Sequence, residues 1–251
     1  MSLITYVQQY LRRFVKYPVL IVFLMSGILI SILLFAFYNI RLRRIIAKYW
    51  FRCLLIILNL KLEVKGFDKE LEGHFLVANH ISWLDIPVIS ACVPICFLSK
   101  SEIRQWPVIG FLASFVGTIF IERASRRSLM QVNQNIDMSL RDGHSVCVFP
   151  EGTTTLGDHV STFHASIFQP VVAARGKIAP VTIRYLDKKR VRSNCPVYVG
   201  DMTLMRSLDQ IVIEPLLIVE VTFLTTIDAN NLSRQSASDL SRTRISTNLF
   251  K

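Results

Sequence analysis

The sequence ANHISWLDIP, residues 78–87, follows an apolar strand-like run and sets four polar side chains ahead of a new apolar segment. His80 and Asp85 are five residues apart, whereas neighbours on one face of a straight helix are three or four apart. The two side chains can meet if His80 lies on the turn before a helix and Asp85 lies in its first turn. The sequence therefore predicts a strand, a tight turn and a helix around this stretch.

A histidine paired with a carboxylate has a defined chemistry. The carboxylate binds one imidazole nitrogen and fixes the tautomer, which leaves the other nitrogen able to take a proton from a hydroxyl. This is the base-and-orienter half of a Ser-His-Asp triad without its own nucleophile, so the hydroxyl would come from a substrate. The structural alternative is a helix cap, in which Ser82 or Asn79 caps the helix and His80 has no role.

Two further polar groups follow predicted strands. Lys100 ends one apolar run, and Glu122 and Arg123 follow another, GTIFI. An arginine at a strand end can bind phosphate through two parallel hydrogen bonds. The alternatives are a solvated Lys100 and an ion pair between Arg123 and Glu122.

A fourth polar group, FPEGTTT at residues 149–155, follows the apolar run VCV. Its glycine and hydroxyl residues form a turn whose backbone N–H groups could face an anion. It lacks the GxxxxGK[ST] pattern of a P-loop, and the chain has no GxSxG elbow of a serine hydrolase.

The composition favours a lipid surface as partner. The chain has 251 residues, 51% of them apolar, and a net charge of +11, and no acidic residue precedes Glu63. A basic region beside an apolar span favours contact with anionic head groups. No zinc-finger spacing or aromatic-basic RNA motif occurs, so we expect no nucleic-acid partner. The five cysteines form no CxxC pair and are expected to be reduced thiols in a domain that faces the cytosol.

The N-terminal region is predicted to anchor the protein in a membrane. The run from Tyr17 to Ile40 carries no charge and predicts a transmembrane helix at about residues 18–40. Residues 44–60 predict a helix that lies in the membrane interface or, as the alternative, packs under the globular domain. The dense basic cluster at residues 41–52 predicts that the C-terminal bulk of the chain lies in the cytoplasm, on the inner side of a bacterial inner membrane.

From residue 61 onward, short β-branched and aromatic runs alternate with helical stretches, which predicts an α/β fold with a mixed sheet flanked by helices. The domain extends over residues 61–225, and residues 226–251 form a polar, basic tail that is expected to fray, with a short amphipathic helix as the alternative. A helix is predicted over Ser128–Arg141. The predicted strands are Leu62–Val64, Phe75–Ala78, Ile95–Leu98, Gly117–Ile121, Val146–Phe149, Ile178–Ile183, Val197–Val199 and Val219–Phe223.

The order of NHISWLD, LSKSEIRQWPVIG, GTIFIER, FPEGTTT and IAPVTI resembles the glycerolipid (lysophospholipid) acyltransferase family over roughly residues 60–190. The resemblance implies that His80 is the general base for an acceptor hydroxyl and that Asp85 orients it. The hydroxyl would attack the thioester of acyl-CoA or acyl-acyl carrier protein, which are co-substrates. No metal or prosthetic group is implied, and no oligomeric state is indicated.

The resemblance also assigns the remaining site residues. Lys100 would stabilise developing negative charge, and Arg123 would bind the phosphate of the acceptor. Glu151, Gly152 and Thr153 match the block that shapes the acceptor site. The acceptor implied by the best-known member of the family is 1-acylglycerol-3-phosphate.

One position departs from the family pattern. Many phosphatidate-forming members have arginine where this chain has Thr154, and threonine lacks both the charge and the fork of a guanidinium. Acylation of another lysolipid, such as a lyso-ornithine lipid, therefore remains an alternative. A non-catalytic lipid-binding protein and a thioesterase are the other two hypotheses.

Overall fold

A computed structural model of the protein describes residues 3–35, 39–67, 73–122 and 126–251, with side chains except at residues 126–129. The helices are α1 Leu3–Leu33, α2 Ile40–Leu58, α3 Asp85–Cys92, α4 Ile109–Phe115, α5 Arg126–Arg141, α6 Gln169–Ala173, α7 Leu204–Ile213 and α8 Arg234–Leu249. The strands are β1 Leu60–Lys65, β2 Phe75–Ala78, β3 Cys96–Lys100, β4 Ile119–Ile121, β5 Val146–Val148, β6 Lys177–Leu186, β7 Leu217–Phe223 and β8 Ile227–Asp228.

The strands form one mixed sheet. Its order is β1-β7-β6-β2-β5-β3-β4, and β8 pairs with β6. Strands β6, β2, β5, β3 and β4 are mutually parallel, whereas β7 and β8 run antiparallel to β6. The carboxyl ends of the five parallel strands therefore lie at one edge of the sheet.

Helices cover both faces of the sheet. Along β2, Leu76 and Ala78 pack with apolar residues of α2, α3 and α7, while Phe75 and Val77 pack with those of α5, α6 and α8. All four residues are fully buried, as the continuous apolar run of a central parallel strand requires. The predicted fold class, a mixed α/β sheet flanked by helices after an apolar N-terminal helix, is confirmed.

Helices α1 and α2 form a hairpin beside the sheet. The rings of Phe23 and Trp50 stack with centroids 4.0 Å apart, and the Trp50 indole N–H donates to the Ser26 hydroxyl at 3.2 Å. Among the described helices, α1 is long and apolar enough to cross a membrane. It runs from Leu3 to Leu33, so its limits differ from the predicted residues 18–40, and its charged first half is paired with the domain through two 2.8 Å bonds from Arg13 to Asp209 of α7.

The prediction of a fraying tail at residues 226–251 is wrong. Strand β8 and helix α8 occupy this segment, and Ala237 and Ile245 are fully buried in the core. Arg184 of β6 donates to the carbonyls of Asn248 and Leu249 at 3.1 and 2.7 Å. The helix buries small residues against the sheet, which explains why its sequence lacks a strong apolar stripe.

The predicted strand at Val197–Val199 is also wrong. These residues form a loop before α7, and the N–H of Tyr198 donates to the carbonyl of Ile81 at 3.1 Å. Of the other predicted strands, Phe75–Ala78 occurs with the predicted ends and the rest occur with an end that differs by one to three residues, and α5 begins two residues before the predicted Ser128. The loop therefore forms a backbone hydrogen bond to the turn after β2 and does not pair with any strand that the structure describes.

Candidate active site

The polar groups singled out in the sequence meet at the carboxyl edge of the parallel strands. His80 follows β2, Glu151 follows β5, Lys100 ends β3 and Glu122 follows β4. In open parallel sheets this edge is where ligands bind, because loops there converge from several strands. The fold therefore brings residues from distant parts of the sequence to one surface.

His80 and Asp85 form the predicted pair. Nδ1 of His80 lies 2.8 Å from Oδ2 of Asp85, with His80 on the turn after β2 and Asp85 in the first turn of α3. The Asp85 side chain is fully buried, while the His80 side chain is 17% exposed. Since Nδ1 donates to the carboxylate, Nε2 is the nitrogen that can accept a proton.

Asp85 is held by three further donors. The N–H groups of Ile81 and Ser82 donate to Oδ2 at 2.7 and 2.9 Å, and the hydroxyl of Tyr185 donates to Oδ1 at 2.7 Å. Burial, followed by the charge of Asp85 and this hydrogen bond, raises the pKa of Tyr185 well above its usual value, so the hydroxyl stays a donor. The carboxylate is thus fixed in position from both of its oxygens.

Glu151 supports the backbone of His80. Its Oε1 accepts the N–H of His80 at 2.7 Å, and its Oε2 accepts the N–H of Ser161 at 2.9 Å. The side chain is buried, and this burial raises its pKa, while the hydrogen bonds from Ser161 and His80 lower it. Glu151 therefore acts as a brace between the histidine turn and the loop that carries Ser161.

The imidazole ring is held by an aromatic neighbour. Phe149, the residue after β5, stacks on His80 with centroids 4.1 Å apart and an interplanar angle of 14°. Phe97 of β3 continues the stack behind Phe149 at 6.1 Å. With Nδ1 bound and one ring face covered, Nε2 makes no hydrogen bond to any residue that the structure describes.

The helix-cap alternative for Asn79 is not what the structure shows. Its side-chain amide donates to the carbonyl of Ile183 at 3.0 Å and accepts the N–H of Ile183 at 2.8 Å. The amide thereby continues the pairing of β2 with β6 for one step beyond Ala78. Asn79 is a structural residue at the end of a strand.

Two N–H groups of the turn at residues 149–155 donate hydrogen bonds within the protein. The N–H of Gly152, which has a φ of 71°, donates to Phe149, and the N–H of Thr155 donates to the carbonyl of His80 at 2.9 Å. Both N–H groups are thus used within the protein, and the predicted contact of the rest of the turn with an anion stays a prediction. Thr153 is exposed, and the hydroxyl of Thr154 donates to the carbonyl of Tyr198.

Of the two cationic candidates, Lys100 and Arg123, only Lys100 is among the residues that the structure describes. Lys100 is exposed at the end of β3, at the same edge as His80, and among the described residues it forms no hydrogen bond or ion pair with His80 or Glu151. Arg123 lies outside the described residues, so its predicted contact with the acceptor stays a prediction. Glu122, beside it, is described and exposed.

Tyr185 is the site residue that the sequence analysis missed. It lies near the end of β6, in a run of alternating apolar residues, and its side chain is 1% exposed. A buried tyrosine in an aliphatic strand needs a partner for its hydroxyl, and that requirement is the signal that points to a polar group nearby.

The comparisons with known proteins agree with this architecture. A family model described as acyltransferase matches residues 61–184. The lyso-ornithine lipid O-acyltransferase of Pseudomonas aeruginosa is 32% identical over 83% of this chain and 80% of that protein. The 1-acyl-sn-glycerol-3-phosphate acyltransferase of Neisseria meningitidis is 37% identical over 71% of this chain and 70% of that protein.

The chain belongs to the acyltransferase family. The fold of this acyltransferase is shared with a crystal structure of the 1-acyl-sn-glycerophosphate acyltransferase PlsC from Thermotoga maritima, with a TM-score of 0.70 and 18% identity. That likeness covers 98% of this chain and 96% of the other. The matched family segment contains His80, Asp85 and Glu151 of the acyltransferase, whereas Tyr185 and α8 lie beyond its end.

Proposed function

We propose that this acyltransferase moves a fatty acyl group from a thioester, acyl-CoA or acyl-acyl carrier protein, to the free hydroxyl of a lysolipid. The observation that carries the proposal is the His80–Asp85 pair, in which a buried carboxylate binds Nδ1 at 2.8 Å and leaves Nε2 open. No nucleophilic side chain of the protein is required, because the acceptor hydroxyl is the nucleophile.

The reaction follows from the roles of the two ring nitrogens. Nε2 takes the proton of the acceptor hydroxyl as its oxygen forms a bond to the thioester carbonyl carbon. The carbon–sulfur bond then breaks, and the thiolate leaves with the proton that His80 returns. Asp85 stabilises the imidazolium between these steps, and Tyr185 and the two backbone N–H groups keep Asp85 in place.

The acceptor that we propose first is 1-acylglycerol-3-phosphate, with Lys100 and Arg123 as the cationic residues for its phosphate. A lyso-ornithine lipid is the second candidate, and Thr154 favours it. Because the residue is a threonine, this position supplies no guanidinium to a phosphate. Its hydroxyl instead donates to the carbonyl of Tyr198 within the protein. Relatives of both kinds support the choice of these two acceptors.

Membrane association supports a lipid acceptor. Helix α1 is apolar and exposes large side chains along its length, among them Phe14, Ile21 and Met25. We place the protein at the inner membrane of a bacterium, with the sheet domain on the cytoplasmic side, where acyl thioesters are available.

The test uses membranes that contain the protein, labelled acyl-CoA or acyl-acyl carrier protein, and a panel of lysolipids. We expect acylation of one acceptor, and a loss of about 10²–10⁴-fold in His80→Ala, the range of general-base catalysis. Asp85→Asn should lose a similar factor, because the amide no longer fixes the required tautomer. Transfer by a folded His80→Ala protein at the wild-type rate would contradict the mechanism.

A second pair of variants addresses the acceptor. Thr154→Arg adds a guanidinium at the departing position, and Thr153→Arg adds one at the exposed neighbour. We expect the ratio of lysophosphatidate to lyso-ornithine lipid acylation to rise about tenfold in Thr154→Arg alone, the effect of one charged hydrogen-bonded contact. Equal ratios in the two variants would show that this position does not select the acceptor.

A further inference from the structure

We propose that Arg242 of α8 is a positioning residue for the active site, acting through the Val160–Ser161 peptide and Glu151 on the backbone of His80. This inference rests on the proposed function, since it assigns a residue to the same site. It makes the C-terminal helix part of the catalytic apparatus, although the helix lies beyond the segment that matches the acyltransferase family.

The first link joins α8 to the loop after β5. Arg242 donates from Nη2 and Nε to the carbonyl of Val160, at 2.7 and 3.2 Å, and from Nε to the carbonyl of Ser161 at 2.9 Å. A guanidinium that contacts two successive carbonyls fixes the orientation of the peptide between them.

The second link uses the other side of the same peptide. The carbonyl of Val160 and the N–H of Ser161 belong to one peptide group, and that N–H donates to Oε2 of Glu151 at 2.9 Å. The peptide therefore lies between a cation at its oxygen and a carboxylate at its N–H. Hydrogen bonds arranged in this way polarise one another and become stronger together.

The third link reaches the catalytic histidine. The other oxygen of Glu151 accepts the N–H of His80 at 2.7 Å. The carboxylate therefore fixes the position of the backbone from which the imidazole projects. The Asp85 pair and the Phe149 stack hold the ring, but Glu151 holds the backbone beneath it. A small displacement of the backbone would move Nε2 away from the acceptor hydroxyl, and rates are sensitive to displacements of about 1 Å.

Docking of α8 does not depend on Arg242. Ala237 and Ile245 are buried in the core, and Thr182 of β6 donates to the Asn248 side chain at 2.9 Å. Arg244 offers a matched control, because it also donates from α8 to a backbone carbonyl, that of Thr225, at 2.7 Å. That loop leads to β8 and not to Glu151.

The kinetic test compares Arg242→Ala, Arg242→Lys and Arg244→Ala in the full-length protein in membranes. We expect Arg242→Ala to lower kcat about tenfold with little change in KM, and Arg242→Lys to recover part of the loss by keeping a charged donor. Arg244→Ala should keep the wild-type kcat. Thermal unfolding is measured for all three, and an equal loss of kcat in Arg242→Ala and Arg244→Ala would overturn the inference.

A structural readout separates this inference from the proposed function. Hydrogen–deuterium exchange of peptides covering residues 155–164 should increase in Arg242→Ala and not in Arg244→Ala. Without Arg242, the Val160–Ser161 peptide is no longer held at its carbonyl oxygen. Unchanged exchange and a wild-type kcat in Arg242→Ala, with His80→Ala inactive, would sink the positioning role alone. A fully active His80→Ala would instead refute the proposed mechanism, whatever the exchange data show.

The pH profile gives a third discriminating measurement. The charged and titratable groups that face Glu151 are His80 and Asp85, with Arg242 acting through the peptide. Without Arg242 the Ser161 N–H is a weaker donor, so Glu151 takes up a proton at higher pH. The acid limb of kcat should therefore move to higher pH in Arg242→Ala, and an unmoved limb would count against the relay.

Discussion

At the scale of single residues, the Asp85 carboxylate has the most contacts in the site. Four donors converge on it, from His80, Ile81, Ser82 and Tyr185, and it has no exposed surface. An ion that is removed from water requires this number of partners, because an unpaired buried charge is strongly unfavourable. The same partners fix its geometry, so stability and catalysis depend on the same contacts.

Tyr185→Phe tests that link. The variant keeps the ring and removes one of four donors, so the core remains packed while Asp85 gains freedom to rotate. We expect kcat to fall about tenfold, since a hydrogen bond to a charged group contributes roughly 1.5–3 kcal/mol. The measurement is the rate of acyl transfer beside Tyr49→Phe, a matched loss of a hydroxyl from an exposed tyrosine. Equal rates in the two variants would show that the Tyr185 hydroxyl is not needed.

Glu151 has opposite requirements for stability and activity. Burial raises its pKa, so the folded protein binds a proton here more readily than the unfolded chain does. Its stabilising contribution is therefore full below the ordinary glutamate pKa and is lost as pH rises through the raised folded value. The ionised form is the one whose two oxygens both accept N–H groups, from His80 and Ser161, as the proposed positioning of His80 requires.

The comparison of wild type with Glu151→Gln measures this effect. The glutamine cannot titrate, so the difference in Tm should shift in favour of the variant as pH rises from about 4 to about 7. The loss of one acceptor oxygen adds an offset that does not depend on pH. A Tm difference that stays constant across this range would mean that Glu151 does not titrate with a raised pKa.

At the scale of elements, Asn79 shows how a strand end can be extended by a side chain. Its side-chain amide pairs with the backbone of Ile183 in β6 as a further peptide group of β2 would. The next residue, His80, therefore lies just beyond the sheet. The turn begins where the ladder ends, and this limit sets the position of the imidazole.

Asn79→Ala should therefore act on stability. It leaves the buried N–H and carbonyl of Ile183 without partners, at a cost of about 1–3 kcal/mol for each group. We expect a lower denaturation midpoint, while kcat per folded molecule falls less than in His80→Ala. Urea unfolding and transfer assays on the same preparation provide both numbers, and an Asn79→Ala protein of wild-type stability would refute the structural role.

The parts of this architecture that the sequence could predict are those with local signals. The apolar run of β2, the spacing of His80 and Asp85, and the turn after β5 each have a pattern within about ten residues. The contacts of Tyr185 and Arg242 depend on which strands and helices become neighbours, and local patterns do not contain that information. The burial of helix α8 was not predicted, and a helix there was only an alternative, because its buried face uses small residues such as Ala237 and Ser241, which resemble a solvated segment until a partner surface is known.

At the scale of the whole molecule, the contacts of the α1–α2 hairpin with the sheet domain restrict its possible topology in a membrane. The first half of α1 is bound to α7, with Arg13 and Tyr17 both contacting Asp209, and Arg12 donating to the carbonyl of Ile213 at 2.6 Å. The chain then returns through α2 directly into β1 at Leu60. Both ends of the hairpin are therefore attached to the sheet domain.

This attachment predicts that the N-terminus and the sheet domain lie on the same side of the membrane. A single span by α1 would carry Arg13 across the bilayer from Asp209 and break both of their 2.8 Å bonds. We expect Gln8→Cys, in a cysteine-free background, to react with an impermeant maleimide from the same side of sealed, oriented vesicles as Lys188→Cys on the domain. Labelling of the two positions from opposite sides would establish a spanning helix and would require α1 to leave α7 when the protein enters a membrane.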